Sequence, residues 1–477
     1  MASELNERRI ENFAIETGES KDFDDDGRVK RTGTLMTASA HIITAVIGSG
    51  VLSLAWAIAQ LRWIGGVLAL LIFSLITLFA SRLLANIYRY PEPNAGTRNY
   101  TYMQAVQNYL GGIKYKFCGV ALYVNLFGTS IGYTITTALA IGAIEKAICF
   151  HEHGKEAKCE ASSSEISMMV FGIIQILLSQ IPDFGELSAL SVIAAIMSFT
   201  YSFIGIGLSV SRIAGGVHPK TSLSGVPIGA DLTIQHKVWR CFQALGNIAF
   251  AYSYSLVFID IQDTLKSSPP ENKVMMKASA IGVAVTTLFY MLCGILGYVA
   301  FGNNTPGNLL TGFYEGPLWL VNLANACIAV HLVGAYQVYA QPLYRKVEDL
   351  SKKWWPESDF VVKDYPIWVP FLGTYNLNLF RSVWRTFFVA VTTTLSITFP
   401  FFNDVVGLIG ALVFWPLTVY FPIEMHITQK KIRKSWGKWF GLKLVSGVCL
   451  IVSILAATGS ITGIAKELKT YRPFMSI

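Results

Sequence analysis

The chain has 477 residues, of which 53% are hydrophobic and only 14% are charged, and its mean hydropathy is +0.47. Soluble domains have about 25% charged residues, so this composition argues against a disordered chain, a nucleic-acid-binding domain and a soluble enzyme. The formal net charge of +8 does not indicate a nucleic-acid partner, because the charged residues lie between long apolar runs.

The first 33 residues include 15 charged side chains, nine of them acidic, and no apolar core of a cleavable signal peptide. This composition predicts a disordered cytosolic tail over residues 1–33, or alternatively a regulatory or trafficking element.

Eleven windows after the tail contain no Asp, Glu, Lys or Arg and approach the length of about 20 residues that a membrane-spanning helix needs. They are 32–61, 63–80, 117–144, 166–182, 187–211, 241–259, 278–314, 316–344, 386–403, 405–423 and 444–465. Strands of an outer-membrane barrel would be shorter and would alternate in polarity. The sequence therefore predicts an all-α, multi-pass membrane protein with eleven transmembrane helices in the lipid bilayer.

The connections between the spans predict the orientation. If the N-terminus is cytosolic, the inner segments hold 27 of the 38 Lys and Arg residues, as expected for cytosolic loops. With eleven spans, the C-terminus is then extracellular. The polar loop after the third span is then predicted to be outside, where disulfides persist. Cys149 and Cys159 of this loop either form a disulfide or remain two free thiols. The seven cysteines show no metal-ligand spacing, and no metal site is predicted.

The first span contains Gly48, Ser49 and Gly50 near its middle. Two glycines lower the cost of unwinding a helix there, and the freed amides of the following half-helix would attract an anion such as the carboxylate of an amino acid. The alternative is that the small residues allow two helices to pack closely.

The sixth span has a comparable stretch of small and hydroxyl-bearing residues at 247–255. Helices broken at corresponding places in two halves of a chain indicate a transporter site at the bilayer midplane. We therefore predict a first five-helix repeat over residues 34–212, a second over 238–428, and an eleventh helix outside the repeats at 438–465.

Residues 31–57 closely resemble the first helix of the plant amino acid permeases, which belong to the amino acid/auxin permease family. The resemblance continues through residues 98–103, 259–265, 334–338 and 414–422. It implies a LeuT-like inverted-repeat fold and a multi-pass plasma-membrane symporter, not an enzyme. Such a symporter imports a broad range of mainly neutral amino acids by alternating access, with protons as the coupling ion and no prosthetic cofactor.

The resemblance also implies the substrate-binding residues. The unwound part of the first span would hold the substrate carboxylate, the broken part of the sixth span would line the side-chain pocket, and the third span would close it. In this order the residues are Ile47, Gly48, Ser49, Gly50, Phe250, Ala251, Tyr252, Ser253, Asn125 and Thr129.

This sequence departs from the family at two positions. Family members usually have an acidic residue before Ile248, where this chain has Asn247, and often have glycine where this chain has Arg62. The neutral amide bears on the handling of cationic substrates and on proton entry.

Ionisable residues within spans are the candidates for proton coupling. They are His41, Asp260, His331 and Glu424. A contact between His41 and Asp260 at the inner gate is one hypothesis. A neutral His41 bonded to a backbone carbonyl is the alternative, and for Glu424 the alternative is an ion pair with an inner Lys or Arg.

Two other functions remain open at this stage. An auxin carrier or a lysine and histidine carrier would share the fold, and a receptor would bind an amino acid without moving it. A channel would need a continuous polar stripe or a selectivity loop, and the sequence has neither. The sequence does not indicate an oligomeric state.

Overall fold

The computed structural model describes residues 23–154, 159, 164–181, 188–224, 233–369, 373–434 and 437–472. They form a bundle of helices. In chain order these are α1 (Leu35–Val46), α2 (Leu54–Ile87), α3 (Tyr102–Tyr109), α4 (Gly112–His153), α5 (Ser164–Ser179), α6 (Ser188–Ala214), α7 (Ile234–Ala251), α8 (Ser255–Gln262), α9 (Glu271–Phe301), α10 (Leu318–Trp354), α11 (Asp359–Val362), α12 (Leu379–Thr398), α13 (Phe402–Val413), α14 (Phe421–Gln429) and α15 (Gly437–Glu467).

Short elements connect or extend these helices. Three 3-10 segments lie at Ser49–Ser53, Gly302–Asn304 and Leu309–Gly312, and a π-helical segment at Phe414–Tyr420 joins α13 to α14. Two antiparallel strand pairs, β1 (Arg89–Tyr90) with β2 (Thr97–Arg98) and β3 (Asp364–Val369) with β4 (Gly373–Asn378), close loops at the bundle surface.

Within the described residues, eight helical segments are long and apolar enough to cross a membrane. They are Ser49–Ile87, Gly112–His153, Ile193–Ala214, Ile234–Gln262, Glu271–Asn304, Leu318–Trp354, Phe402–Gln429 and Gly437–Glu467. The chain is thus a helical multi-pass protein. The count of eleven spans, the division into repeats and the orientation stay predictions. Residues 182 and 187, where the fourth predicted span ends and the fifth begins, lie outside the described residues.

The boundary between the first two predicted spans lies inside α2. Arg62 has φ 67° and ψ 179° there, a backbone region that favours glycine. Its buried side chain is hydrogen-bonded to Asn303. The turn at Arg62 therefore explains how one long helical segment contains the end of one predicted span and the whole of the next.

The outward faces of the long helices are apolar. Leu68, Ile72 and Leu75 of α2 and Ile451 and Ile454 of α15 are all exposed. Apolar side chains on the outside are expected of a protein whose solvent is lipid.

Residues 23–29 form a turn that we call the acidic turn, in which Phe23 pairs with Val29. After it, the Gly33 amide donates to the Thr264 carbonyl at 2.9 Å. A Cβ at Gly33 would lie 2.3 Å from that carbonyl oxygen, so this contact requires glycine. These residues belong to the predicted disordered tail, but in the structure they pack on the end of α8. We call this the N-terminal end of the bundle. Residues 1–22 lie outside the described part.

Candidate functional site

The first helix break lies where the glycine-rich stretch predicts it. Helix α1 ends at Val46, Gly48 has extended backbone at φ −131° and ψ −152°, and the 3-10 segment begins at Ser49. This segment continues directly into α2. The first amides of a helical segment have no acceptor within the helix, so the amides of Ser49 and Gly50 are directed toward the break.

The second break separates α7 from α8. Helix α7 ends at Ala251 and α8 begins at Ser255. Between them, the Ser253 amide donates to the Phe250 carbonyl at 3.0 Å, and its hydroxyl donates to the Ala249 carbonyl at 2.7 Å. Helix α1 approaches the breaks from the N-terminal end of the bundle and α7 approaches from the opposite end, as in an inverted repeat.

The two breaks are in direct contact. A Cβ on Gly50 would lie 3.0 Å from the Cα of Ala251 and 3.2 Å from its Cβ. On the other side, the Tyr290 hydroxyl of α9 donates to the carbonyl of Val46 at 2.6 Å and to that of Ala251 at 2.8 Å. One buried hydroxyl therefore joins the carboxyl ends of both half-helices.

A central cavity of about 40 Å³ lies between the breaks and the middle of α4. Its wall consists of Ala45, Val46, Gly48, Ser49, Gly50, Asn125, Thr129, Tyr133, Phe250, Ala251, Ser253 and Tyr339. Amides at the start of a helical segment favour a carboxylate, and carbonyls at the end of one favour an ammonium group. The cavity therefore has the electrostatics to bind a zwitterion.

The structure brings eight of the ten predicted substrate-binding residues to this cavity. Within it, the Thr129 hydroxyl donates to the Asn125 side-chain oxygen at 3.3 Å. The side chains of Ile47 and Tyr252 are not part of the wall. Ile47 is packed in the core, and the Tyr252 hydroxyl donates to Thr287 at 3.1 Å.

Three tyrosines near the breaks were not predicted from the sequence as site residues. Tyr133 and Tyr339 contribute to the wall and pack edge to face, with ring centroids 5.5 Å apart. Tyr290 holds the two breaks together. Tyrosine is common inside this chain, with 21 copies, so no pattern distinguishes these three.

A larger cavity of about 340 Å³ lies at the opposite end of the bundle, where α7 begins. Charged residues of both signs line it, namely His236, Arg240, Asp404, Lys466 and Glu467. The departure from the family lies beside this cavity, since Asn247 is buried and donates to Asn403, a cavity residue, at 3.1 Å. A substitution at position 247 therefore lies next to this charged cavity, which we call the opposite-end cavity.

Two adjoining cavities lie on the N-terminal side of the breaks, and the first of them reaches Gly48 and Ser253. One, of about 260 Å³, is lined by His41 and His331, and the other, of about 490 Å³, by Asp260. The cavities share Val257 and Tyr339 among their walls. In the described part of the chain, no hydrogen bond or ion pair connects His41 with Asp260, so the hypothesised contact is not made in this conformation.

The other two predicted coupling residues have partners. The Nδ1 atom of His331 lies 2.9 Å from the Ala194 carbonyl and 3.2 Å from the Ser198 hydroxyl, both on α6. Glu424 forms ion pairs with Lys114, at 2.8 Å, and with Lys443. The alternative interpretation of Glu424, an ion pair near the end of the bundle, agrees with this arrangement.

The acidic turn connects several elements at the N-terminal end. Arg31 pairs with Asp24, Asp26 and Asp263 at 2.8–3.0 Å. The Arg98 side chain is 1% exposed and pairs with all three aspartates of the turn and with Glu271. Arg89 pairs with Asp25 and Glu271. The network therefore joins the chain before α1 to the end of α8, the β1–β2 loop and the start of α9.

Asp26 remains ionised at neutral pH. Burial opposes its charge, but hydrogen bonds from the Arg31 side chain and the Arg28 amide, together with the charge of Arg31, hold the pKa of Asp26 below its ordinary value. A lowered pKa stabilises the fold above the unfolded-state pKa, and this contribution is lost only as the pH falls through the lowered value. The Asp26 carboxylate is therefore not a group that titrates during a cycle near pH 7.

Comparisons with known proteins agree with this geometry. Residues 31–466 match the family model for the transmembrane amino acid transporter protein. The chain is 58% identical over 460 residues to amino acid permease 1 of Arabidopsis thaliana, covering 96% of this chain and 94% of the relative. It is 57% identical over 468 residues to amino acid permease 8 of the same plant, covering 97% and 98%.

A solved structure has the same fold. MhsT, crystallised in complex with L-phenylalanine, superposes with a TM-score of 0.54 at 12% identity, covering 90% of this chain and all of that one. At this identity the likeness shows the fold alone.

Proposed function

Because the chain belongs to the transmembrane amino acid transporter family, a family of transporters and not of enzymes, we propose that it imports amino acids across the plasma membrane by alternating access. The observation that carries the proposal is the central cavity, enclosed by the ends of two broken helices. The named relatives are amino acid permeases, which supports an amino acid as the substrate.

The proposed binding mode follows from the polarity of the breaks. The substrate carboxylate accepts hydrogen bonds from the amides of Ser49 and Gly50, because the start of a helical segment has a partial positive charge. The ammonium group lies toward the carboxyl ends of α1 and α7, which have the opposite partial charge. The backbone thus recognises the groups that all amino acids share.

The side chain of the substrate extends toward α4. The wall there combines the Asn125 and Thr129 side chains with the rings of Tyr133 and Phe250. Among the residues that the structure describes, no acidic or basic side chain belongs to the wall of the central cavity. An uncompensated charge would be costly in such a site, which supports a broad preference for neutral amino acids.

We further propose that proton entry drives the import. His41 and Asp260 line the two cavities between the breaks and the N-terminal end, so a proton bound to either group can exchange with that side. A coupling group needs different pKa values in the two conformations, and cavities that open and close provide this difference.

The test is two-electrode voltage clamp of oocytes that express the chain, with surface expression measured on the same cells. Neutral, acidic and basic amino acids are perfused in sodium-free medium at acidic and neutral external pH. We expect inward currents with neutral amino acids that grow with acidity. Uptake without current would contradict electrogenic proton coupling, and saturable binding without current or uptake would indicate a receptor.

A further inference from the structure

We propose that the Tyr290 hydroxyl occupies the position at which a metal cation would bind the two half-helices, so that substrate binding at the breaks needs no metal ion. Tyr290 is thereby a positioning residue for the proposed transport. The inference rests on the proposed function, because it concerns how the amino acid site is held in place.

Each half-helix ends at one of the two carbonyls that accept from Tyr290. Val46 and Ala251 are the last residues of α1 and α7, and the carboxyl end of a helix leaves carbonyl oxygens without partners inside the helix. These ends also have partial negative charge. The Gly48 amide offsets part of this charge by donating to the Val46 carbonyl at 3.0 Å. The remaining repulsion between the two buried helix ends needs a further donor or a cation.

Transporters with broken helices commonly use a cation there, since unwound carbonyls and half-helix carboxyl ends coordinate the coupling ion. In this chain the same atoms accept from a phenol. The Tyr290 oxygen lies 2.6 Å from the Val46 carbonyl and 2.8 Å from the Ala251 carbonyl. Both distances are hydrogen-bond lengths, and they leave no room for an ion between the hydroxyl and either carbonyl.

A single hydroxyl proton serves both acceptors, in a shared or three-centre hydrogen bond. The positions of the two breaks therefore depend on each other, because a shift of either half-helix changes the bond to the other. The breaks are also in contact at Gly50 and Ala251, beside the proposed carboxylate site. Tyr290 consequently fixes the position of the first break relative to the second. The first break holds the amides that we propose bind the substrate carboxylate.

The surroundings fix the ring of Tyr290. The side chain is fully buried, and its ring packs edge to face on Tyr252 with centroids 5.2 Å apart. The Tyr252 hydroxyl donates to Thr287, and the Thr287 hydroxyl donates to Ser74 on α2 at 2.9 Å. The tyrosine is therefore preorganised to donate at the breaks.

The experiment compares Tyr290→Phe with the wild-type chain in the oocyte assay, with currents normalised to surface expression. Phenylalanine keeps the ring packing but removes the donor that the Val46 and Ala251 carbonyls share, and the Val46 carbonyl then keeps the Gly48 amide at 3.0 Å. Loss of a donor to a buried carbonyl weakens the site that the carbonyl helps to position. We expect the half-saturating amino acid concentration to rise by about 10-fold or more, with a smaller change in maximal current. Tyr298→Phe is the matched control, because Tyr298 is also buried in α9 but bonds Ser222 and Asn303. We expect it to keep the wild-type half-saturation.

A second measurement uses only the wild-type chain, so it does not depend on the folding of a variant. At fixed pH and voltage, replacing choline with sodium should leave the half-saturating concentration unchanged. A clear decrease on adding sodium, or a Tyr290→Phe variant with wild-type half-saturation, would overturn the inference. A wild-type chain at the surface that neither carries current nor takes up amino acid would contradict the proposed function itself.

Discussion

At position 50 the chain has no room for a side chain. A Cβ there would lie 3.0 Å from the Cα of Ala251, and overpacking of this kind costs about 1–3 kcal/mol. Gly48, two residues earlier, has nothing within 4 Å of the corresponding position. The two glycines therefore have different roles. Gly50 allows close packing against Ala251, whereas Gly48 leaves the backbone open to the cavity.

We expect Gly50→Ala to lower the free energy of unfolding by about 1–3 kcal/mol, whereas Gly48→Ala should change it by less than about 0.5 kcal/mol. Thermal unfolding of the purified proteins in detergent, without substrate, measures both. Equal losses in the two variants would show that the contact with Ala251 does not limit position 50.

Asn247 supports a second prediction at this scale. It donates to Asn403 at the edge of the charged opposite-end cavity. Asn247→Asp adds one negative charge there, so we expect uptake of basic over acidic amino acids to rise by about 3-fold to 10-fold. Lysine and glutamate uptake at fixed pH gives the ratio. Asn247→Leu is the control, because it removes the same hydrogen bond without adding charge, and a similar shift in that variant would exclude an electrostatic cause.

Single residues also differ in how well a sequence predicts their place in a site. Gly48, Ser49 and Gly50 were predictable because consecutive small residues in the middle of an apolar span favour an unwound helix or close helix packing. Tyr290 was not, since its role depends on two carbonyls that lie 244 and 39 residues away in the chain. A residue type that is frequent in the core gives no local signal of such a contact.

The acidic turn is an element whose ion-pair partners lie on distant segments of the chain. Its aspartates neutralise Arg31, Arg89 and Arg98, whose side chains are at most 8% exposed. Removing one carboxylate of this buried network takes a charged hydrogen-bond partner from the arginines that it contacts, which is destabilising. The turn therefore attaches the chain before α1 to the N-terminal end of the bundle.

We expect Asp26→Asn to destabilise the protein by about 2 kcal/mol, because Arg31 and Arg98 each lose one of their charged hydrogen-bond partners. Asp359→Asn is the control. Asp359 pairs only with Lys363 among the described residues, and both side chains are more than half exposed, so its effect should be below about 0.5 kcal/mol. Thermal unfolding of the purified variants compares them, and similar melting temperatures would contradict a structural role of the network.

The helix breaks illustrate which elements follow from the sequence. The spans and their interruptions were predictable from apolar length and from small residues. The acidic turn was not, because a run of charges resembles a solvated tail unless its arginine partners on distant segments are known. The π-helical segment at Phe414–Tyr420 was also missed. Pro422, five residues after Leu417, has no backbone N–H to donate, and the Leu417 carbonyl accepts from the Tyr102 hydroxyl at 2.5 Å instead.

On the scale of the whole molecule, the two broken helices enter from opposite ends and meet at one cavity. The opposite-end cavity lies on one side of the breaks, and the two cavities lined by His41 and Asp260 lie on the other. The structure also joins Cys149, near the end of α4, to Cys159 in a disulfide, the pairing that was one of two alternatives. Disulfides persist in oxidising compartments, which supports an extracellular location for that loop.

Orientation and span count can be tested together. An odd number of spans places the termini on opposite sides, so we expect an epitope tag at the C-terminus to be accessible to antibody on intact cells. A tag at the N-terminus should become accessible only after permeabilisation. Two tags with the same accessibility would contradict eleven spans.

The central claim is that amino acids bound at the breaks are carried across the membrane by the proton gradient. The most direct measurement is uptake of a labelled neutral amino acid into proteoliposomes that contain only the purified chain, under an inward proton gradient. We predict accumulation above the external concentration, and its collapse when a protonophore is added. Saturable binding of the amino acid without accumulation would contradict the account.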